Sequence, residues 1–194
     1  AEVYTGAPEG FEAFWTRSRQ RGGHFEAVAA TGAPFLLAAL PSVAAAPAVS
    51  GRALVVFPSP NLGDGRFANR PWAQELPDPI SSIAWTSWVE LHPKTVASLG
   101  LAVGDLVQVE TAKGSIKVGF FASKGVREDS AAVVLGNGHT GMGRYARGRG
   151  ANPMTLLDSA ADPLSGALVV AGTSAKITRA GSGADTFELV GNID

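Results

Sequence analysis

Three arginines and one histidine lie in a glycine-rich segment, residues 135–152, which we call the glycine–arginine loop. Its sequence is LGNGHTGMGRYARGRGAN, and no acidic residue lies between Asp129 and Asp158. Glycine lets backbone N–H groups approach a ligand, and arginine binds phosphate oxygens through two parallel hydrogen bonds. The segment therefore indicates a site for an anionic, extended ligand. The alternative is an interface loop whose arginines pair with acidic groups of a neighbouring domain, and the missing G-x-x-x-x-G-K-[ST] signature favours it.

A second polar segment, residues 58–79, is called here the proline–tryptophan loop and reads GDGRFANRPWAQELPDP at positions 63–79. Glycine, asparagine and proline recur too often in it for a regular helix or a long strand. It also carries Phe67, Trp72 and Leu76, which a solvated loop has little reason to keep. Such a loop is typical of a surface shaped against a ligand or against another part of an assembly.

The composition excludes several kinds of site. The 194 residues contain no cysteine, which excludes disulfides, cysteine-ligated iron–sulfur clusters, thiolate zinc sites and cysteine nucleophiles within this chain. The net charge of −1 indicates neither nucleic acid nor a membrane surface as a partner. A Ser-His-Asp arrangement and a G-x-S-x-G motif are both missing. His139 stands alone in its loop, so a structural or hydrogen-bonding role is favoured over metal binding or catalysis.

The N-terminal part of the sequence shows no targeting signal. The first residue is Ala1, and no charged-then-apolar leader precedes the first folded-looking segment. The apolar run Phe35–Leu40 is far shorter than the roughly 20 residues that a membrane-spanning helix needs. We therefore expect this chain to be a piece of a longer polypeptide or a processed product.

Short strands dominate the predicted elements. Apolar or alternating patterns predict strands at residues 53–57, 106–111, 115–121, 131–135, 167–171, 174–178 and 187–190, and an extended segment at 80–88. Helices are predicted at 9–21 and 92–99. Together these elements predict a mainly β fold with short helices, a β-barrel closed so that few edges stay open. The predicted domains are a leading helix with an Ala/Pro-rich connector (1–50), the barrel (51–180) and a C-terminal extension towards a following region (181–194).

Some polar and aromatic side chains have local structural roles in this prediction. His92 precedes a proline and is predicted to cap the second helix. Asp105 lies in a predicted turn, where a solvated carboxylate is expected. Trp85 and Trp88 are predicted to anchor packing, and Trp72 to plug a cleft between domains.

Four sequence blocks together resemble one family. They are GFEAFW at 10–15, GDGRFANRPWAQELPDP at 63–79, HPKTVASLGLAVGDLVQVE at 92–110 and LGNGHTGMG…GRGANPMTLL at 135–157. The order of these blocks along the chain resembles the C-terminal molybdopterin-dinucleotide-binding domain of the molybdopterin oxidoreductases, which form the dimethyl sulfoxide reductase superfamily. The fold of that domain is a double-psi β-barrel. The block AN-x-PW-x-QELPDP looks most like the large iron–sulfur/molybdopterin-like subunit of alternative complex III.

The resemblance implies two roles that differ. In catalytic members the two loops hold the pterin and guanosine parts of the cofactor, and the metal ligand comes from an earlier domain. If molybdopterin is bound here, the resemblance implies the following cofactor-binding residues: Asn69, Arg70, Glu75, Asn137, His139, Thr140, Arg144 and Asn152. In the alternative complex III subgroup this region is understood to hold no molybdenum cofactor and to act as a scaffold. Neither role implies a catalytic residue or a metal ligand within this chain.

From the resemblance we expect a scaffold and interface domain in a respiratory or photosynthetic electron-transfer complex that oxidises quinol. We expect this domain to have no redox centre of its own and not to be catalytic as an isolated chain. Its expected partners are other subunits or regions, including iron–sulfur and quinol-binding components, in a membrane-associated complex on the periplasmic face. One alternative is the molybdopterin guanine dinucleotide-binding domain of a catalytic molybdenum or tungsten oxidoreductase. Another is a small barrel that binds a nucleotide or a partner protein on its own.

Overall fold

The computed structural model describes residues 9–25, 32 and 49–182. The chain divides into two compact units, residues 1–45 and 46–194, and each is described by itself. The predicted domain boundaries stay predictions. Most of the predicted connector and the whole predicted strand at 187–190 lie outside the described residues. In the described ranges no helix has the length and apolarity needed to cross a membrane.

In the described residues of the first unit, 9–25 and 32, the structure has the helix α1 (Phe11–Arg21). It ends at Gly22, which adopts a left-handed φ of 76° that glycine tolerates, and Gly22 and Gly23 donate backbone hydrogen bonds to the last turn. The predicted apolar face is present in part, because Phe14 is buried whereas Trp15 is half exposed and stacks on the ring of Phe11. The helix predicted at 9–21 is therefore confirmed with a start two residues later.

The second unit is a closed barrel of six strands. Its strands are β1 (Arg52–Pro58), β2 (Trp88–Leu91), β3 (Asp105–Glu110), β4 (Ser115–Ala122), β5 (Ser130–Leu135) and β6 (Ala171–Ser182), in the order β1-β5-β2-β4-β3-β6 around the barrel. The β1–β5 and β2–β4 pairs are parallel, and the other pairs are antiparallel. Three short helical segments interrupt the connections: α2 (Pro71–Glu75), α3 (Pro93–Ser98) and a 3-10 helix (Pro153–Leu156). The predicted class, a mainly β double-psi barrel with short helices, is confirmed.

Apolar side chains at alternate positions of the strands fill the barrel interior. Inward-facing positions are buried and apolar because side chains of a strand point to opposite faces in turn. They include Leu54 and Val56, Val89 and Leu91, Val107 and Val109, Ala131 and Val133, and Ala175 and Ile177. Leu156 and Leu157, which follow the glycine–arginine loop, belong to the same cluster. Fully burying one such large side chain stabilises the fold by about 1.5–3 kcal/mol, so this core fixes the strand register that positions both loops.

Three predicted elements differ from the structure. Residues 80–87 form turns with left-handed backbone at Ser82 and Trp85, and the strand begins only at Trp88, so the extended segment predicted at 80–88 is wrong. Residues 167–170 lie outside β6: Leu168 forms an isolated bridge with Ala161, and the register of β6 with β1 begins at Ala171. The proline–tryptophan loop contains the five-residue helix α2, which starts at Pro71, where proline suits a first helical turn.

The predicted cap at α3 is confirmed, and the prediction for Asp105 is wrong. Lys94 donates its backbone N–H to His92 Nδ1 over 3.2 Å. Asp105 is 4% exposed, and its two oxygens accept hydrogen bonds of 2.8 Å each from Nε and Nη2 of Arg179 in β6. Asp105 also accepts the backbone N–H of Ala102. The Arg179 hydrogen bonds, followed by that of Ala102, lower the pKa of Asp105 below its ordinary value of 3.8. The carboxylate therefore adds a side-chain link between β3 and β6, which also pair through their backbones.

This ion pair predicts a specific pH dependence of stability. The pKa of Asp105 is lower in the folded state than in the unfolded state. The stabilisation that the ion pair contributes is therefore complete above the unfolded-state pKa, and it is lost as the pH falls through the folded-state pKa. We expect the thermal midpoint of the wild type to fall more steeply between about pH 4 and about pH 2 than that of Asp105→Asn, measured by circular dichroism. At neutral pH the variant should be the less stable protein. Asp158→Asn, at an exposed pair with Lys113, is the matched control. Parallel curves for wild type and Asp105→Asn would contradict the assignment.

Candidate functional site

The parallel pairing of β1 with β5 brings the two predicted loops to one rim of the barrel. The strands pair in register up to Pro58 and Leu135, so both chains leave the sheet at the same end. Ser59 continues the contact by donating its N–H to the Leu135 carbonyl over 3.0 Å. The proline–tryptophan loop and the glycine–arginine loop, which are about 60 residues apart in sequence, therefore lie against each other.

Gln74 of α2 joins the two loops from within. Its side chain is almost fully buried, and its Nε2 donates to the Ala68 carbonyl over 2.8 Å and to Asn137 Oδ1 over 2.9 Å. Asn137 in turn donates its Nδ2 to the Thr86 carbonyl over 3.0 Å. A flipped Gln74 amide would face two acceptor oxygens, so its orientation is set by its partners. Gln74 Oε1 is buried without a hydrogen-bond partner among the described residues.

Sequence reasoning missed Gln74, although a signal exists. Trp72 and Leu76 are four residues apart and lie on one side of α2. Gln74, two residues after Trp72, then lies on the opposite side of the helix, facing the barrel. A polar side chain at the inward position of a short helix with an outward apolar face indicates a buried hydrogen-bonding role.

Three further contacts join the loops. Asn69 Oδ1 accepts the backbone N–H of Tyr145 over 3.1 Å. Gly143 packs so closely on Asn69 that a Cβ there would lie 2.4 Å from the side-chain nitrogen. The His139 ring packs on Gly65 in the same way, with its Nε2 at 2.7 Å from the position of a Cβ. His139 Nε2 is buried and has no hydrogen-bond partner in the described part of the chain.

Two of the three arginines of the glycine–arginine loop lie over different aromatic rings. The guanidinium carbon of Arg144 lies 4.6 Å from the ring centroid of the adjacent Tyr145, and its Nη2 donates to the Tyr145 hydroxyl. That of Arg149 lies 4.8 Å from the ring centroid of Trp85. Arg147 donates its backbone N–H to the Gly143 carbonyl. A phosphate clamp formed by all three arginines stays a prediction.

The other predicted cofactor-binding residues lie at the surface or have local partners. The guanidinium carbon of Arg70 lies 5.7 Å from the ring centroid of Trp72, and Glu75 and Thr140 are exposed. Asn152 caps the 3-10 helix by accepting the N–H of Met154 over 3.0 Å.

Part of the donor set predicted for a molybdopterin dinucleotide already has partners within this chain. Asn69, Asn137 and Asn152 already accept or donate hydrogen bonds within the chain. A pocket of about 450 Å³, which includes residues 84–86 and 148–150, is lined by none of the eight predicted residues. Nor do the described His, Asp and Glu side chains form a group of three that could ligate a metal ion. Cofactor binding at these eight positions stays a prediction.

Large apolar side chains of the proline–tryptophan loop and its continuation face outwards. Phe67, Trp72, Leu76 and Ile80, which we call the apolar patch, are 48%, 66%, 56% and 72% exposed. Asn61 holds the end of α2 by donating its Nδ2 to the Leu76 carbonyl over 2.7 Å. Trp72, predicted to plug a cleft between domains, thus lies open at the surface of the barrel unit. Exposed apolar side chains this close in sequence are typical of an interaction surface.

The tight packing of the glycine–arginine loop gives a stability prediction. Gly138 has a φ of +90°, and a Cβ there would lie 2.1 Å from the backbone nitrogen of Asn152. We expect Gly138→Ala to lower the free energy of unfolding by more than about 1 kcal/mol, because neither strain nor clash is relieved by a side-chain rotation. Gly141→Ala in the same loop has open space at its Cβ and serves as control. Chemical denaturation measures both, and equal stability of the two variants would show that the loop is not packed as described.

Comparison with known proteins agrees with this architecture. The family model described as "Molydopterin dinucleotide binding domain" matches residues 67–173, which include most of both loops. The chain is 34% identical over 93 residues to the menaquinone reductase, molybdopterin-binding-like subunit, of Nitratidesulfovibrio vulgaris, covering 48% of this chain and 14% of that protein. It is 31% identical over 91 residues to the thiosulfate reductase molybdopterin-containing subunit PhsA of Salmonella typhimurium, covering 46% of this chain and 12% of that protein.

A solved structure, acetylene hydratase from Pelobacter acetylenicus, superimposes with a TM-score of 0.49 and 19% identity over 66% of this chain and 18% of that chain. The chain thus spans about one seventh of the length of the curated relatives that it matches. The family model matches more than half of the residues, and the proline–tryptophan loop and the glycine–arginine loop meet on one barrel rim. This chain therefore belongs to the molybdopterin dinucleotide-binding domain family of the molybdopterin oxidoreductases.

Proposed function

We propose that this chain is a scaffold and interface domain in the molybdopterin-oxidoreductase-like large subunit of a quinol-oxidising electron-transfer complex of the alternative complex III type. In this proposal the domain has no redox centre of its own. Iron–sulfur and quinol-binding components belong to other regions or subunits, and the complex is membrane-associated on the periplasmic face. The relative named as a menaquinone reductase, molybdopterin-binding-like subunit, supports a link to a quinone-dependent complex.

The observation that carries the proposal is that three polar side chains of the rim are already hydrogen-bonded, whereas four large apolar side chains are exposed. The polar groups Asn69, Gln74 and Asn137 bond to one another's loops inside the barrel unit. The apolar patch, by contrast, is directed to the outside of that unit. A loop pair built to bind a polar cofactor would keep its hydrogen-bonding groups available and its apolar groups packed. The observed arrangement instead suits docking against protein.

The apolar patch can be tested in the parent complex. Trp72→Ser together with Leu76→Ser removes two exposed side chains whose burial contributes about 1.5–3 kcal/mol each, so the affinity of the docked surfaces should fall by about a hundredfold or more. We expect the double variant to lose partner regions or subunits, measured by native electrophoresis and by the amounts that co-purify. The stability of the barrel unit itself should change little, since both side chains are exposed.

Val103→Ser is the matched control, because Val103 is 94% exposed and lies at the turn before β3, outside the apolar patch. This control should assemble like the wild type. Normal assembly of the Trp72/Leu76 double variant would contradict the docking role.

A second candidate function is that of a molybdopterin guanine dinucleotide-binding domain in a catalytic molybdenum or tungsten oxidoreductase. It is favoured by the family description and by the relative named as a molybdopterin-containing subunit. It would require Asn69 and Asn137 to exchange their present partners for the cofactor. Elemental analysis of the intact parent complex, paired with fluorescence detection of released pterin, separates the two functions. Our proposal predicts that neither metal nor pterin is stoichiometric, and stoichiometric amounts of both would establish the second function instead.

A further inference from the structure

A small cavity lies between α2 and the turn that precedes β2. Its volume is about 20 Å³, and its walls include residues of α2, the turn at 83–86 and Trp88 at the start of β2. A cavity needs roughly 10–15 Å³ to hold one water molecule. The space therefore admits an occupant the size of water, and it is far below the roughly 300 Å³ at which sites for larger ligands begin.

Two residues that line this cavity each have a buried polar atom without a partner. Gln74 is 1% exposed and Trp88 is 4% exposed. Gln74 Oε1, an acceptor, and Trp88 Nε1, a donor, make no hydrogen bond within the described part of the chain. A buried donor or acceptor without a partner lowers stability, so native proteins pair nearly all such atoms with protein groups or with ordered water. The two atoms therefore require a common explanation.

The position of the Gln74 amide is fixed by its other hydrogen bonds. Its Nε2 donates to two acceptors, one of which is Asn137 Oδ1, and Asn137 in turn donates to the Thr86 carbonyl. The backbone carbonyl of Gln74 accepts the N–H of Trp85 over 3.3 Å. These bonds hold Gln74 beside the turn that leads to Trp88. Oε1 keeps its place, because turning the amide over would break both hydrogen bonds of Nε2.

The chemistry of the two atoms selects the occupant of the cavity. An indole N–H only donates, so its partner must offer a lone pair, which ammonium and metal cations lack. The amide oxygen of Gln74 only accepts, so its partner must offer a proton, which a halide ion lacks. The carboxylate of Asp78, which is also buried and lines the cavity, disfavours an anion further. Water both donates and accepts, and it fits the volume.

We propose that one buried water molecule joins Gln74 Oε1 to Trp88 Nε1. The water accepts the indole N–H and donates a proton to the amide oxygen. Ser59, which lines the same cavity, supplies a third partner: its hydroxyl oxygen accepts the N–H groups of Asn61 and Leu62, and its own proton has no acceptor among the described residues. Three hydrogen bonds are usual for a buried water. The water thus ties α2 to the start of β2, whether or not the apolar patch docks against protein.

A crystal structure of this chain or of its parent complex, at a resolution that shows ordered water, tests the proposal directly. We expect one water within about 2.7–3.2 Å of both Gln74 Oε1 and Trp88 Nε1. Three outcomes would overturn the proposal: a direct hydrogen bond between the two side chains, a cavity without ordered water, or an occupant other than water.

Nuclear magnetic resonance of the chain with isotope-labelled tryptophan gives an independent test in solution. The wild type should show a cross-peak between the Trp88 indole N–H and a long-lived water, and Trp88→Phe identifies that signal by removing it. Gln74→Met, which lacks the amide oxygen, should lose the water cross-peak while the indole resonance remains. Glu75→Gln is the matched control, because Glu75 is exposed on the same helix outside the cavity and the variant should keep the cross-peak.

A wild type without the water cross-peak, its retention in Gln74→Met, or an equal loss in Glu75→Gln would contradict the assignment. Thermal midpoints near that of the wild type will show that the variants are folded. The crystal structure and the wild-type cross-peak depend on no substitution, so they decide the matter even where a variant does not fold.

Discussion

The parallel pairing of β1 with β5 is the constraint on which the rest of the structure depends. It places the ends of two strands that are far apart in sequence side by side, with Pro58 opposite Leu135. The segments that follow must then share one rim, and their polar groups either bond to each other or remain unpaired. The buried amide of Gln74, bonded to Asn137, is the direct consequence. Because a buried amide is costly without partners, this contact also fixes how closely the loops approach.

The close approach of chain segments at this rim also requires glycine at several positions. Where the glycine–arginine loop passes against its neighbours, Gly138, Gly143 and Gly150 leave no room for a Cβ. The glycines that suggested backbone N–H groups exposed to a ligand therefore serve mainly to let one chain segment pack on another. The charge of the loop is dispersed in the same way, since Arg144 and Arg149 lie over different aromatic rings.

Local patterns predicted most of the barrel but not its irregular parts. The strands at β1, β3, β4 and β5 and the helix α3 followed from alternation, apolar runs and proline position, because these signals depend on neighbouring residues only. The extended segment at 80–88 was wrong because its apolar residues, among them Ile83, pack in a second cluster through turns and not along a strand. Asp105 was expected in solvent because its partner, Arg179, lies 74 residues away and its pairing depends on the β3–β6 register.

The sequence by itself determined the class of this protein: no cysteine chemistry, a mainly β barrel, two loops of unusual composition, and the family to which their motifs belong. Those properties depend on residue type and short-range spacing. Only the tertiary structure decided which side chains of the loops are already bonded, which are exposed and which share a pocket. Hydrogen-bond satisfaction and exposure are properties of pairs of segments brought together by strand pairing, and no local pattern records the distance between them.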